Sequence, residues 1–239
     1  MAPKGRTVSA RAAVNTGESV KRQIPNWPPL TPLVPTENLY IDTRADGQIL
    51  VIRNLFTSAL CKKYVSFLSS LPLTTTPATP KRGEAVRVND RFQVDDAAFA
   101  TRLWQQSGLQ HLIDSYDDQS IWQGDVLGLN PNIRIYRYRP GQFFDQHYDE
   151  SNKIEFGDRK TPAKTTWTLL IYLTICEGGE TAFYPEATQK GQTAPEPILV
   201  SPDVGTALLH QHVDCMLHEG KEVKSGEKWV LRSDLVVRR

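Results

Sequence analysis

Hydrophobic and polar positions divide the chain into three stretches with different periods. From Met1 to about Pro35 no apolar period appears: Lys4, Arg6, Arg11, Lys21 and Arg22 face the single acid Glu18, and five prolines follow. Such a segment buries too little apolar surface to order itself, so residues 1–36 are expected to be a flexible extension. Trp27 is the residue able to dock its end on the body. Beyond it, Ile49 to Leu55 reads as a strand and Thr57 as a helix N-cap. Leu60, Tyr64, Phe67 and Leu68 then recur at helical spacing, which predicts an amphipathic helix to about Ser69. Pro72 to Gly83 is turn-rich and reads as a loop. Ala97 to Trp104, capped by Asp95 or Asp96, and Leu109 to Tyr116 read as two further helices.

From Asn132 onward the period changes. IRIYRYR, TTWTLLIYLTI, TAFY, PILV, TALLH, DCMLH and KWVLRSDLVV are short β-rich runs broken by Gly, Pro and polar loops. About eight close-spaced strands without a long intervening helix indicate a sandwich or barrel. The expected fold class is therefore mainly β with N-terminal helices (α+β). Helical support at 37–128 packs on one side of a jelly-roll core at 129–239, within a single domain 37–239.

Composition narrows this only slightly. With 39% hydrophobic and 23% charged residues and a net charge of +1, nothing biases the chain toward nucleic acid or acidic surfaces. No apolar run is long enough to span a bilayer, so no membrane partner is expected. Cys61, Cys176 and Cys215 form no CxxC pair, which argues against a zinc ribbon and for reduced thiols. The first residues lack a secretory apolar region, so the expected location is cytoplasmic or nuclear, with a mitochondrial address open. Oligomeric state is not legible.

The chemistry concentrates in His147-Tyr148-Asp149. Residues two apart on a strand share a face, so this imidazole and carboxylate converge. With a third ligand such as His218 they would form a 2-His-1-carboxylate triad, whose open positions suit non-haem iron rather than closed structural zinc. The motif alone is common, and a surface His-Asp pair is an equal reading. Lys228, ten residues after His218, offers a charged donor for the far end of a dicarboxylate. Arg232 competes for that role: it lies on the same strand face, about 13 Å along. His212-Val213-Asp214 is a second HxD, and His212 is the alternative to His218. His210 reads with it as a supporting or core residue, and His111 as helix surface.

Tyr138-x-x-Gly141-x-x-Phe144-x-x-His147-x-Asp149, then Gly178-Gly179-Glu180-Thr181, then His218 with Lys228, resembles the prolyl 4-hydroxylase branch of the Fe(II)/2-oxoglutarate dioxygenases over about residues 85–239. The resemblance implies a double-stranded β-helix core, with Fe(II) on His147, Asp149 and His218. It implies 2-oxoglutarate on Lys228, aided by Tyr138, Thr181 and, more weakly, Tyr172. O2 is the oxidant and ascorbate a supporting reductant. The expected reaction hydroxylates an unactivated C–H bond, releasing succinate and CO2, on a prolyl or other protein or peptide residue. A free amino acid or small metabolite is the alternative substrate, and a non-catalytic jelly-roll binding module the alternative class. The chain departs from the family where RVNDRFQ replaces an RxS-type signature. Asn89 and Arg91 are expected there on a substrate-facing loop, with a plain solvated turn the equal reading. Ser151 to Lys164, with charges of both signs, is expected to be a lid loop.

Overall fold

Side chains along Lys228–Arg238 alternate between two interiors, and the architecture follows from that alternation. Trp229, Leu231 and Leu235 enter one apolar cluster, while Val230 enters another. The computed structural model describes residues 23–76, 79–80, 83–187 and 193–239. Its strands begin with β1 (Ile41–Ala45), β2 (Ile49–Ile52), β3 (Thr74–Thr75), β4 (Asp90–Asp95), β5 (Val126–Leu129) and β6 (Asn132–Tyr138). They continue with β7 (Phe144–His147), β8 (Lys153–Phe156), β9 (Thr161–Tyr172), β10 (Cys176–Gly178) and β11 (Thr181–Tyr184). The last are β12 (Ile198–Val200), β13 (Ala207–Gln211), β14 (Leu217–Gly220), β15 (Val223–Gly226) and β16 (Lys228–Arg238). The helices are α1 (Ser58–Leu68), α2 (Ala97–Gln106) and α3 (Leu109–Asp114).

A large antiparallel sheet has the order β1-β2-β13-β9-β16-β6-β4-β3, with β5 also on β16 and β8 on β9. A smaller sheet, β12-β11-β14-β7, supplies the second wall, and β10 pairs with β15. Two antiparallel sheets form the jelly roll that the strand spacing predicts. The alternation seen on β16 repeats on its neighbours. Ile133 and Ile135 of β6, Trp167, Leu169 and Ile171 of β9, and Leu209 of β13 pack toward the helices. Tyr136, Tyr138, Leu170, Tyr172 and Leu208 face the space between the sheets.

The helices form as the caps predict. Thr57 Oγ1 accepts the Leu60 amide at 3.2 Å, and Asp96, rather than Asp95, accepts the Phe99 amide at 2.9 Å. Leu60, Tyr64 and Leu68 of α1 and Phe99 and Leu103 of α2 are buried against the large sheet. No helix among the described residues is long and apolar enough to cross a membrane.

Four expectations change. In the described part of the extension, residues 23–36, Trp27 stacks on Phe99 with centroids 4.1 Å apart and donates to Asp96 at 2.8 Å. That docking is stronger than a flexible tail implies. Residues 1–22 lie outside the described residues. The stretch 37–128 is more than helical support, because β1 to β5 all join the large sheet. RVNDRFQ is outside the strands only as far as Asn89: from Asp90 it runs as β4, which pairs with β6 from Asp90↔Arg137 to Asp95↔Asn132, since Phe92 and Val94 alternate into the core. Ser151–Lys164 is no lid loop either, because β8 folds back on β9 as a hairpin.

Candidate active site between the two sheets

The small sheet brings His147 and His218 together directly: they are register partners between β7 and β14. Their ring centroids are 4.2 Å apart, and both residues are buried. Each ring is oriented from behind. His147 Nδ1 lies 2.8 Å from the Asp145 carbonyl and His218 Nδ1 lies 2.9 Å from that of Met216. A carbonyl can only accept, so both Nδ1 atoms carry the proton and both Nε2 lone pairs face the cleft. Phe144 stacks on His147 at 3.6 Å and Phe183 on His218 at 5.4 Å, which fixes the ring planes.

Asp149 lies just beyond the end of β7, yet keeps the face expected for a residue two places after His147. Its Oδ1 is 3.8 Å from His147 Nε2. Its Oδ2 accepts from Thr168 Oγ1 at 2.6 Å and from Arg232 Nη2 at 2.9 Å. Two donors therefore occupy one carboxylate oxygen and leave the other for a ligand. The donor atoms of His147, Asp149 and His218 lie within 4.8 Å of one another. Two imidazole nitrogens and one carboxylate oxygen, with the rest of the cleft open, form the donor set that suits iron(II).

Charge states agree with that geometry. Burial, then the neighbouring His218, holds His147 well below the usual imidazole range, and burial likewise lowers His218. Burial alone would raise Asp149, but the adjacent Arg232, with His210 next, holds it well below the usual carboxylate range. Neutral imidazoles and an ionised carboxylate are the ligand-competent forms.

The far end of the cleft is built around Lys228, the first residue of β16 and the register partner of Tyr138. Its ammonium is buried and donates to the Gly179 carbonyl at 2.6 Å. It lies 5.6 Å from the Tyr138 ring centre and 5.3 Å from that of Tyr172. Thr181 lines the cleft there, with its Oγ1 2.7 Å from the Tyr172 hydroxyl. The Gly178-Gly179 turn makes this possible. Both residues have φ near +70°, and a Cβ on Gly179 would come within 2.9 Å of Cys176 Sγ and 3.4 Å of Lys228 Cδ. The cleft, about 440 Å³ with its mouth, runs between the two ends.

The structure also separates the competitors. Arg232 lines the cleft, but its guanidinium is committed to Asp149, Thr168 and, at 3.4 Å, Asp234. It stands at the carboxylate end, whereas Lys228 stands at the tyrosine end. His212 faces Thr168 Oγ1 at 2.9 Å and Thr165 Oγ1 at 3.3 Å and is outside the cleft. Asn89 is fully buried, accepting from Thr76 Oγ1 at 2.7 Å, and Arg91 donates to Gln93 at 2.5 Å. Neither lines the cleft, in contrast to the substrate-facing loop expected of them.

Two residues enter that the motif did not mark. His210 lines the cleft, with its ring 4.5 Å from His218 and its Nε2 3.7 Å from Asp149 Oδ2. Thr168 orients the carboxylate. The signal for both was strand alternation: a histidine two places after Leu208, and a threonine on the inward face of β9.

Comparisons with known proteins fit this site. Residues 133–233 match the family model described as the 2OG-Fe(II) oxygenase superfamily. Prolyl 4-hydroxylase 2 of Arabidopsis thaliana is 27% identical over 165 residues, 59% of this chain and 53% of that protein. The chain thus spans about half the length of that relative. A viral collagen prolyl hydroxylase from Paramecium Bursaria Chlorella virus-1, solved with 2-oxoglutarate, superposes with a TM-score of 0.51 at 18% identity. That match covers 80% of this chain and 96% of the viral one. A 2OG-Fe(II) oxygenase-family oxidoreductase from Burkholderia pseudomallei gives a TM-score of 0.54 at 15% identity, covering 81% and 87%. At such identities the structures speak for the fold, the same antiparallel jelly roll. The matched segment holds His147, Asp149, Thr181, His218, Lys228 and Arg232, and across it the chain is similar to the 2OG-Fe(II) oxygenase superfamily and to its prolyl 4-hydroxylases.

Proposed function

We propose that the chain is an Fe(II)- and 2-oxoglutarate-dependent hydroxylase acting on a prolyl or other residue of a protein or peptide, with residues 37–239 as one catalytic domain and 1–36 as its extension. One observation carries the reading: the cleft joins a triad of His147, Asp149 and His218 at one end to the buried ammonium of Lys228 at the other. In this reading His147 Nε2, His218 Nε2 and Asp149 Oδ1 hold iron(II). Lys228 and Thr181 hold the distal carboxylate of 2-oxoglutarate against the Tyr138 and Tyr172 rings.

Iron(II) with 2-oxoglutarate and O2 supplies oxidative decarboxylation coupled to transfer of one oxygen atom into a C–H bond. The residues of this chain do the rest. Thr168 and Arg232 hold Asp149 Oδ2, so that Oδ1 alone would be offered to the metal. Phe144 and Phe183 hold the imidazole planes and shield that end of the cleft. Val230, Leu170 and the tyrosine rings give the co-substrate an apolar channel in which the Lys228 charge is strong. The peptide substrate follows from the relatives' names, among them prolyl 4-hydroxylase 2.

The test is incubation with Fe(II), 2-oxoglutarate, ascorbate and O2, with proline-containing peptides and free amino acids offered separately. Succinate should form in step with a one-oxygen mass gain on a peptide. Turnover on free amino acids with none on peptides would overturn the peptide half. Absence of succinate, even without substrate, would overturn the enzymatic reading.

A further inference from the structure

Beside two rings of the cleft lining, Tyr136 and Phe144, stands a guanidinium with no assigned role. Arg87, bridged to Phe144 through the backbone, lies 4.6 Å from the Phe144 ring centre and 5.5 Å from that of Tyr136. Phe144 is the ring that stacks on His147, so Arg87 stands one aromatic layer from the proposed metal end. Stacking fixes the plane of a guanidinium and leaves its N–H edge available for a planar, two-oxygen acceptor. Among the described residues no carboxylate is within 4.0 Å of it. Arg232, in the cleft lining, is a second cation, and among the described residues its buried Nε has no hydrogen-bond partner although Nη2 binds Asp149.

Both cations act on one reporter, the Tyr136 phenol in the cleft wall. Burial raises it, but Arg232 and Arg87, followed by Arg134 and Arg91, outweigh burial and bring it down to about 8. Two cations therefore act together on this wall of the cleft. Its other charged neighbours do not cancel them. Asp149 is the one carboxylate in the cleft lining and is already matched by Arg232, while Lys228 adds a further cation at the far end.

We infer that the cleft selects a substrate bearing a carboxylate close to the carbon that is oxidised, gripped by Arg87 from beside the Phe144 and Tyr136 wall of the cleft. The inference rests on the hydroxylase reading for the phrase "that is oxidised", but the binding preference itself does not. The carboxylate has two sources, an acidic side chain next to the target residue in a peptide, or the terminal carboxylate of a free amino acid. The geometry is the same for both.

The experiment measures binding by calorimetry without O2, on protein supplied with Fe(II) and 2-oxoglutarate. The first probe pair is acetyl-Ala-Pro-Glu-Ala-amide against its Gln counterpart, and the second is proline against prolinamide. In at least one pair the carboxylate form should bind about tenfold or more tightly, the worth of one charge-assisted hydrogen-bond pair. The pair that shows it names the source. Arg87→Gln should erase the preference, and Arg87→Lys, which keeps the charge but loses the fork, should restore part of it. Thermal unfolding of each variant confirms the fold. Equal binding of carboxylate and amide in both pairs overturns the inference, as does binding of neither member of either pair or a preference that survives Arg87→Gln. The hydroxylase reading is scored separately, by succinate formation in the wild type on admitting O2.

Discussion

Asp149 shows how much of the site is set by residues that would never touch the metal. Its Oδ2 is shared by Thr168 and Arg232, and Arg232 is itself braced by Asp234, which binds Arg134 and accepts from Asn130 at 3.0 Å. Freed of those donors, the carboxylate can rotate and offer both oxygens or neither. Arg232→Gln and Thr168→Val should each weaken Fe(II) affinity by roughly 10–100-fold, the usual scale for loss of a partner behind a ligand. An unchanged metal titration in both variants would show that the contacts are incidental. Lys228 gives a prediction of definite sign. Burial lowers its ammonium to about 8, with Cys176 and Glu180 acting in opposition. A lysine with a depressed value loses its charge as pH rises through that value, so 2-oxoglutarate affinity should be highest below pH 8 and fall above it. Lys228→Arg stays charged throughout and should flatten the profile, and a flat wild-type profile would contradict the assignment. HxD, the later histidine and the lysine were legible in the chain because short spacings on strands fix which side chains share a face. His210 was legible only as a supporting or core residue, and Thr168 was not legible at all, because its partners Asp149 and Arg232 lie 19 and 64 residues away in sequence and carry no spacing rule.

At the scale of elements, the turn between β10 and β11 decides where Lys228 can lie. Gly178 has φ +72°, and a Cβ there would stand 2.4 Å from the Glu222 carbonyl oxygen, a fixed backbone atom. Gly178→Ala must therefore shift the turn, at a cost of about 1–3 kcal/mol. The Gly179 carbonyl moves with it and releases the Lys228 ammonium. The variant should show a lower unfolding midpoint and a raised KM for 2-oxoglutarate, with Fe(II) affinity kept. Loss of Fe(II) affinity in step with co-substrate affinity would mean that the turn supports the whole site. Helices α1 and α2 were legible because caps and apolar spacing are local. Strand β4 was misread because RVNDRFQ is mostly polar. Its Asp90 pairs with Arg137 at 2.7 Å and its Phe92 and Val94 reach the core, contacts that exist only once β6 lies beside it. The β8–β9 hairpin was misread for the same reason: its charged strand borrows order from its partner.

For the molecule as a whole, two interiors divide the labour. Between the large sheet and the helices lies a cluster anchored by Trp122, Trp167, Trp229 and the aromatic rings of Trp27, Tyr64 and Phe99. Between the two sheets lies a smaller one, rich in tyrosine and histidine and interrupted by the cleft. A rigid, fully apolar layer on one face of the large sheet permits polar, charged groups on the other, since strands of β6, β9, β13 and β16 are held from behind. The jelly roll with helices on one side was legible from the change of period along the chain, whereas the share of the first half in the large sheet was not. The central claim is that iron(II) and 2-oxoglutarate meet in the smaller interior on His147, Asp149 and His218. The most direct measurement is an anaerobic titration of Fe(II) into the protein with 2-oxoglutarate present, following the visible charge-transfer absorption of the ternary complex. One iron per chain should saturate the wild-type band, and His218→Ala and Asp149→Ala should abolish it while retaining the wild-type far-ultraviolet circular dichroism. A wild-type chain that develops no band, or a band that survives in both folded variants, would contradict the account.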